Sequence, residues 1–264
     1  MKIEQIRNAT IRIEYAGKNF LIDPWLAAKD TMGSFADLKA YRVPNPAKAL
    51  IKMPMCALPK STDKILAGID MYLLTHLHPD HFDMDLATGT GGILLDKTVL
   101  IGVQNEEERL FMMKSNFQNV SLLSDNFMAF DEIKIIKTPA LHGTEKACGP
   151  SCGFIFKTPG EKTLYIAGDT IWYPEIQKIL ETYQPDIIIL NTCAAELLEF
   201  GRLIMDDNDV YEVYKICPNS TIIASHMDTV SHATLTRETL REKLAEKGIS
   251  DKILLPEDGE VYQF

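Results

Sequence analysis

The chain has 264 residues, 46% hydrophobic and 24% charged, enough to bury a full core in one globular domain, expected to span residues 1–264. A formal net charge of -10 and an isoelectric point near 5.1 argue against nucleic acid or an anionic membrane surface as the main partner, since both reward clustered Lys and Arg. No apolar run has the character of a signal peptide or the length of a bilayer span, and an odd, scattered set of five cysteines suits a reducing compartment; the expectation is a cytoplasmic protein with no stable membrane association.

Residues 10–15 alternate Ile11, Ile13 and Tyr15 with polar side chains, a turn follows at 16–19, and Phe20, Leu21 and Ile22 return, so an amino-terminal hairpin is expected. It ends at Asp23-Pro24, where Asp23 serves either as a turn-former or as a carboxylate behind a metal-bound histidine. From 26 to 62 the periodicity fades under Pro44, Pro46, Pro54 and Pro59. This segment is either a substrate wall, for which Met32, Phe35, Tyr41, Met53 and Met55 are suited, or a loop that seals the core.

The apolar run 71–74 predicts a short buried strand that delivers Thr75-His76-Leu77-His78-Pro79-Asp80-His81. Residues 88–92 lack a phosphate-loop lysine and are expected to be a flexible loop. A strand at 98–101, a helix capped by Asn105 and running to Lys114, and strands at 120–122 and 133–136 come next, the last leading to His142. Strands at 154–156 and 163–167 bracket Pro159-Gly160-Glu161, and the second delivers Gly168-Asp169-Thr170. Pro174 opens a helix to Tyr183, and the apolar run 186–190 predicts a strand buried on both faces. A helix at 207–216, a strand at 221–225 ending at His226, a helix at 236–247 stopped by Gly248, and strands at 253–255 and 261–263 complete the chain.

His76, His78, Asp80, His81, His142, Asp169 and His226 thus all lie at or just past the ends of expected strands. Histidines clustered without a metal would bury several half-charged rings against one another, whereas imidazole nitrogens and carboxylate oxygens together suit zinc or manganese, and iron as well. His76 and His78 share a face in extended backbone, and Pro79 breaks the strand so that Asp80 and His81 turn toward a second position, which suggests two adjacent metals.

H-x-H-x-D-H, a distant His142, Asp169 in a Gly-Asp-Thr turn and a final His226 together resemble the signature of the metallo-beta-lactamase-fold superfamily. Within it the chain is similar to the branch of L-ascorbate-6-phosphate lactonase and related metal-dependent hydrolases, through Asp23-Pro24, Gly168-Asp169-Thr170, His226-Met227-Asp228, Ser231-His232 and Thr236-Arg237. The resemblance implies an α+β fold, a four-layer αββα sandwich with the site at one edge. It makes His76, His78 and His142 the ligands of a first divalent ion, Asp80, His81 and His226 those of a second, and Asp169 the bridge. It also places His232 beside the site, against a substrate or its developing negative charge, where the alternative is a capping or surface histidine. Arg237 is either a solvated helix residue or a contact for an anionic group, and Trp172 and Tyr173 either line the mouth or pack at a helix start.

The expected function is hydrolysis by a metal-bound hydroxide, with Asp80 orienting the water, on a small ester or lactone able to carry an anionic group. A phosphodiesterase or phospholipase D-type hydrolase would use the same site, and a metal-containing sensor without turnover is the contrasting class. Relatives form homo-oligomers, so one is allowed here. Cys148 and Cys152 are expected to be plain loop thiols.

Overall fold

The computed structural model describes residues 1–39, 41–85, 90–91, 98–101, 119–123 and 127–264. Two seven-stranded mixed sheets dominate it. In spatial order the first holds Val261–Gln263, Lys2–Arg7, Thr10–Tyr15, Lys18–Ile22, Met71–Leu74, Thr98–Ile101 and Asn119–Leu122. The second holds Ile253–Leu254, Thr221–Ser225, Ile187–Asn191, Leu164–Ile166, Cys152–Lys157, Ile133–Pro139 and Met128–Phe130. Each is antiparallel toward one side and parallel toward the other: in the first sheet pairing turns parallel at Lys18–Ile22 with Met71–Leu74, in the second at Leu164–Ile166 with Ile187–Asn191.

The sheets pack face to face. Ile11, Ile13, Phe20, Ile22 and Leu73 of the first share one buried cluster with Ile135, Phe154, Phe156, Ile166 and Ile189 of the second. Phe156 joins them directly, its ring edge-on to Phe20 at 5.1 Å and to Tyr15 at 5.6 Å between centroids. The other face of the second sheet, with Tyr165, Ile188, Leu190 and Ile222, is covered by the apolar stripes of helices Pro174–Tyr183, Asp207–Ile216 and Arg237–Glu246. Asp206 caps the second of these helices and Thr236 the third.

Topology gathers the functional residues. Leu164–Ile166, Ile187–Asn191 and Thr221–Ser225 run parallel, and Ile133–Pro139 runs the same way through two antiparallel steps, so all four end at one edge of the second sheet. Those ends carry Asp169, Asn191, His226 and His142, while Met71–Leu74 brings its histidines from the first sheet.

Several elements depart from the sequence expectation. Lys2–Arg7 is a strand whose last five residues are all buried, Gln5 and Arg7 included, so it shows no alternation. The irregular segment after Pro24 carries three short helices, Phe35–Leu38, Lys48–Leu50 and Thr62–Leu66, and a bridge between Gly33 and Met53. A small hairpin, Glu196–Leu197 with Gly201–Arg202, interrupts the expected connection between the Ile187–Asn191 strand and the Asp207–Ile216 helix. The helix expected from Asn105 to Lys114 and most of the glycine loop at 88–92 lie outside the described residues.

Candidate metal centre

Seven side chains converge where the two sheets meet. The donor atoms fall into three overlapping groups, His76 with His78 and His142, His76 with His81 and Asp169, and Asp80 with His81 and His226, each within 4.8 Å. Asp169 lies among the rings of both end groups: its Oδ2 is 3.8 Å from His76 Nε2, 3.3 Å from His81 Nε2 and 3.6 Å from His142 Nε2. Asp80 Oδ2 lies 3.4 Å from His226 Nε2 and 4.0 Å from His81 Nε2.

The backs of the rings decide what their fronts can do. His142 Nδ1 donates to the Leu203 carbonyl at 3.0 Å and His81 Nδ1 to Asp23 Oδ2 at 2.8 Å. Thr75 Oγ1 donates to Asp23 Oδ2 at 2.8 Å and accepts from His76 Nδ1 at 3.0 Å. A neutral imidazole that donates from Nδ1 carries its lone pair on Nε2, so these three rings turn lone pairs inward. His226 has Cys193 Sγ behind its Nδ1 at 3.5 Å. Asp23 is therefore a supporting carboxylate rather than only a turn-former.

A cation fits this set. His76 Nε2 is fully buried and has no hydrogen-bond partner, which is costly for a polar atom. His142 Nε2 faces His78 Nδ1 at 3.2 Å, and His226 Nε2 faces His81 Nε2 at 3.3 Å, so each pair needs either a proton shared between the rings or a cation beside them to keep two lone pairs from meeting. Burial opposes charge on His81, yet Asp169, Asp23 and Asp80 outweigh it and push its pKa up to about 10. Carboxylates that hold a proton so firmly would hold a divalent ion in its place. Burial, then His142, pushes His78 down to about 4, so that ring is neutral and able to ligate near neutral pH.

Glycine shapes two of the approaches. A Cβ on Gly143, directly after His142, would sit 2.2 Å from the Lys146 carbonyl oxygen, and one on Gly168, before Asp169, 2.2 Å from that of Cys152. Asn8, Asp23, His226 and Asp228, beside the cluster, adopt positive φ of 53, 44, 66 and 58°, four of the ten non-glycine positions that do so among the described residues.

A cavity of about 110 Å³ opens over the first group. Its walls are apolar, from Met32, Phe35, Leu38, Met53, Leu197 and Leu203, and its polar floor is His78, Asp80, His142, Asp169 and His232. No Lys or Arg is among its described lining residues. His232 packs edge-on against Phe35 at 5.1 Å, its Nδ1 is buried without a partner, and burial pushes its pKa down to about 4.

Other sequence candidates lie elsewhere. Arg237 is neither solvated nor in the cavity: it is buried and donates to Asp228 Oδ2 at 3.0 Å, Asp258 Oδ1 at 2.5 Å and the Pro256 carbonyl at 2.8 Å. Trp172 and Tyr173 pack against the helix-covered core. All five cysteines are free thiols; Cys148 lines the cavity, whereas Cys152 sits in the core between the sheets. Sequence reasoning missed Asn8, Asn191, Cys193 and the Leu203 carbonyl. Of these only Asn191 left a trace, as the polar end of an otherwise apolar strand.

This sandwich with a histidine and aspartate cluster at its edge defines a class, and residues 18–227 match the model of the beta-lactamase superfamily domain. The chain belongs to that family, and the α+β sandwich is the metallo-beta-lactamase fold. Among its relatives, UPF0173 protein YddR of Bacillus subtilis is 44% identical over 268 residues, covering 100% of both chains. A UPF0173 metal-dependent hydrolase of Korarchaeum cryptofilum is 27% identical, covering 93% of this chain and 92% of that one. The solved structure of isothiocyanate hydrolase from Delia radicum gut bacteria superposes with a TM-score of 0.87 at 38% identity, covering 100% of this chain and 99% of that one.

Proposed function

We propose that this metal-dependent hydrolase holds two divalent ions, one by His76, His78 and His142 and one by Asp80, His81 and His226 with Asp169 between them, and hydrolyses small neutral apolar electrophiles, isothiocyanates first among them. The observation that carries the substrate class is the cavity: mostly apolar on its walls, where Tyr41 adds a phenol, polar on its floor, and without a lysine or arginine among the described lining residues to meet an anion. The similarity at 38% identity to a protein described as an isothiocyanate hydrolase supports the same class. Apart from the ions themselves, no lysine or arginine among the described lining residues would meet the charge of an anionic ester or a phosphodiester. The chain would act as one domain in a reducing compartment, where its five thiols stay free.

Divalent ions held there would acidify a water toward neutral pH and polarise the electrophile. The chain's own residues then divide the remaining work. The apolar walls take the organic substituent and leave the heterocumulene over the floor. Asp80, held ionised well below the usual carboxylate range by His81 and His226 against the opposing effect of burial, orients the attacking water from the floor. His232, neutral, offers an N–H to the substrate nitrogen as charge develops on it. Water adds to the central carbon, the carbon–nitrogen bond breaks, and both water protons end on nitrogen, giving a primary amine and carbonyl sulfide.

The test offers zinc- and manganese-loaded protein an alkyl and an arylalkyl isothiocyanate, a neutral lactone and a phosphodiester, with primary amine release followed for the first two. Turnover of the isothiocyanates that is abolished by chelation and restored by metal is expected. Turnover of the lactone or the phosphodiester alone would overturn the substrate assignment.

A further inference from the structure

Asn8 lies in the turn between Lys2–Arg7 and Thr10–Tyr15, outside every ligand motif, yet it is fully buried at the second group. Its backbone is clasped to the opposite sheet: the Asn8 carbonyl accepts from the His226 N–H at 3.1 Å and Ser225 Oγ at 2.9 Å, and also from Gln5 Nε2 at 2.8 Å. With φ of 53° it occupies the left-handed region, where asparagine is among the few non-glycine residues at ease.

That conformation sends the side chain inward. Nδ2 donates to the Asp80 carbonyl at 3.0 Å and lies 3.2 Å from His226 Nε2, the nitrogen that belongs to the second group. The Asp80 carbonyl can only accept, which fixes the amide with its nitrogen on this side. Oδ1 is buried with no donor, an arrangement that a nearby cation, or a water it holds, would complete. Asp80 follows a strand of the first sheet and His226 one of the second, and one amide lies against both, its hydrogen bond going to Asp80 so that the His226 Nε2 lone pair stays with an ion.

We infer that Asn8 is the positioning residue of the second ion, setting the spacing between the Asp80 main chain and the His226 ring. The inference rests on the two-ion reading above. It separates the two groups, because among the described hydrogen bonds the Asn8 side chain touches nothing in the set of His76, His78 and His142.

Asn8→Gly is the clean variant, since glycine accepts a φ of 53° and keeps the carbonyl clasp while deleting the amide. Metal-free protein is titrated with cobalt(II), followed by visible absorption and by competition with a chromophoric chelator. Wild type should take two equivalents, and in the variant the second should weaken by about 10- to 100-fold with an altered spectrum while the first is unchanged, the scale of losing a supporting contact. Retention of the first equivalent doubles as the folding control; should the glycine variant fail to accumulate, Asn8→Ser, too short to span both partners, is expected to give the same selective loss. A wild-type protein that stops at one equivalent overturns the two-ion reading and this inference with it. Two equivalents in wild type, with both unchanged or both equally weakened in the variants, overturns the role of Asn8 alone.

Discussion

Asn191 Nδ2 donates to Asp169 Oδ1 at 2.6 Å, which leaves Oδ2 as the single carboxylate oxygen facing the imidazoles of both groups. Asn191 ends the Ile187–Asn191 strand and is paired in register with Ser225, so the donor is fixed by sheet geometry rather than by a loop. Asn191→Ala should let Asp169 rotate and loosen both ions by about 10- to 100-fold, in contrast to the selective effect expected at Asn8. Chelator competition reads the difference, and unchanged affinity for both ions would mean that Asp169 is held by other contacts.

Asp23 reaches both groups at once. It accepts from Thr75 N, Thr75 Oγ1 and His81 Nδ1, each at 2.8 Å, and the same Thr75 hydroxyl backs His76. Asp23→Ala strands three buried donors, so a loss of about 3–5 kcal/mol in folding stability is expected, the scale for breaking a buried charged pair. Denaturant unfolding of the metal-free protein measures it, and a change below ~1 kcal/mol would show that the network tolerates the gap.

The sequence made the metal cluster legible because ligand chemistry leaves a local imprint, with seven ligand-type residues at strand ends. Strand Lys2–Arg7 escaped because burial on both faces erases alternation, and a buried Arg7 disguised it as a surface segment. The Met and aromatic residues of the segment after Pro24 suit either a substrate wall or a core seal, and Met32, Phe35 and Met53 do line the cavity, but the opposing Leu197 and Leu203 come from a hairpin region whose nearness no periodicity announces. Asn8, Cys193 and the Leu203 carbonyl act through the backs of rings or across sheets, so their roles exist only once the two sheets meet.

Arg237 supplies a negative control. Its guanidinium ties Asp228, beside the His226 loop, to Asp258 and the Pro256 carbonyl near the carboxyl-terminal strand, and none of its described hydrogen bonds or ion pairs reaches a residue lining the cavity. Arg237→Ala leaves two acidic partners without their cation and should cost about 3–5 kcal/mol of stability, while turnover per folded molecule stays close to wild type. Thermal unfolding alongside single-turnover kinetics separates the two, and a selective loss of kcat at full folding would return Arg237 to the reaction.

His232 is where kinetics and pH converge. Burial holds its ring neutral, with the pKa down at about 4 against an ordinary 6.5, and the Phe35 ring packs edge-on against it at 5.1 Å. His232→Ala should leave metal content intact and lower kcat by about 10²-fold, the scale for losing one well-placed donor, whereas a rise in KM alone would mark a binding contact. Between pH 6.5 and 4 the unfolded chain binds more protons than the folded one at this position, so the stability associated with neutral His232 is intact above pH 6.5 and drains as pH falls through that window. His78, also near 4, acts in the same direction, so a His232→Leu variant should keep part of the acid dependence and lose the rest. Melting temperatures of the metal-free proteins from pH 7 to 4 decide it: parallel curves for wild type and His232→Leu would mean that the ring is not held neutral, and with it would go the N–H donor assigned to catalysis.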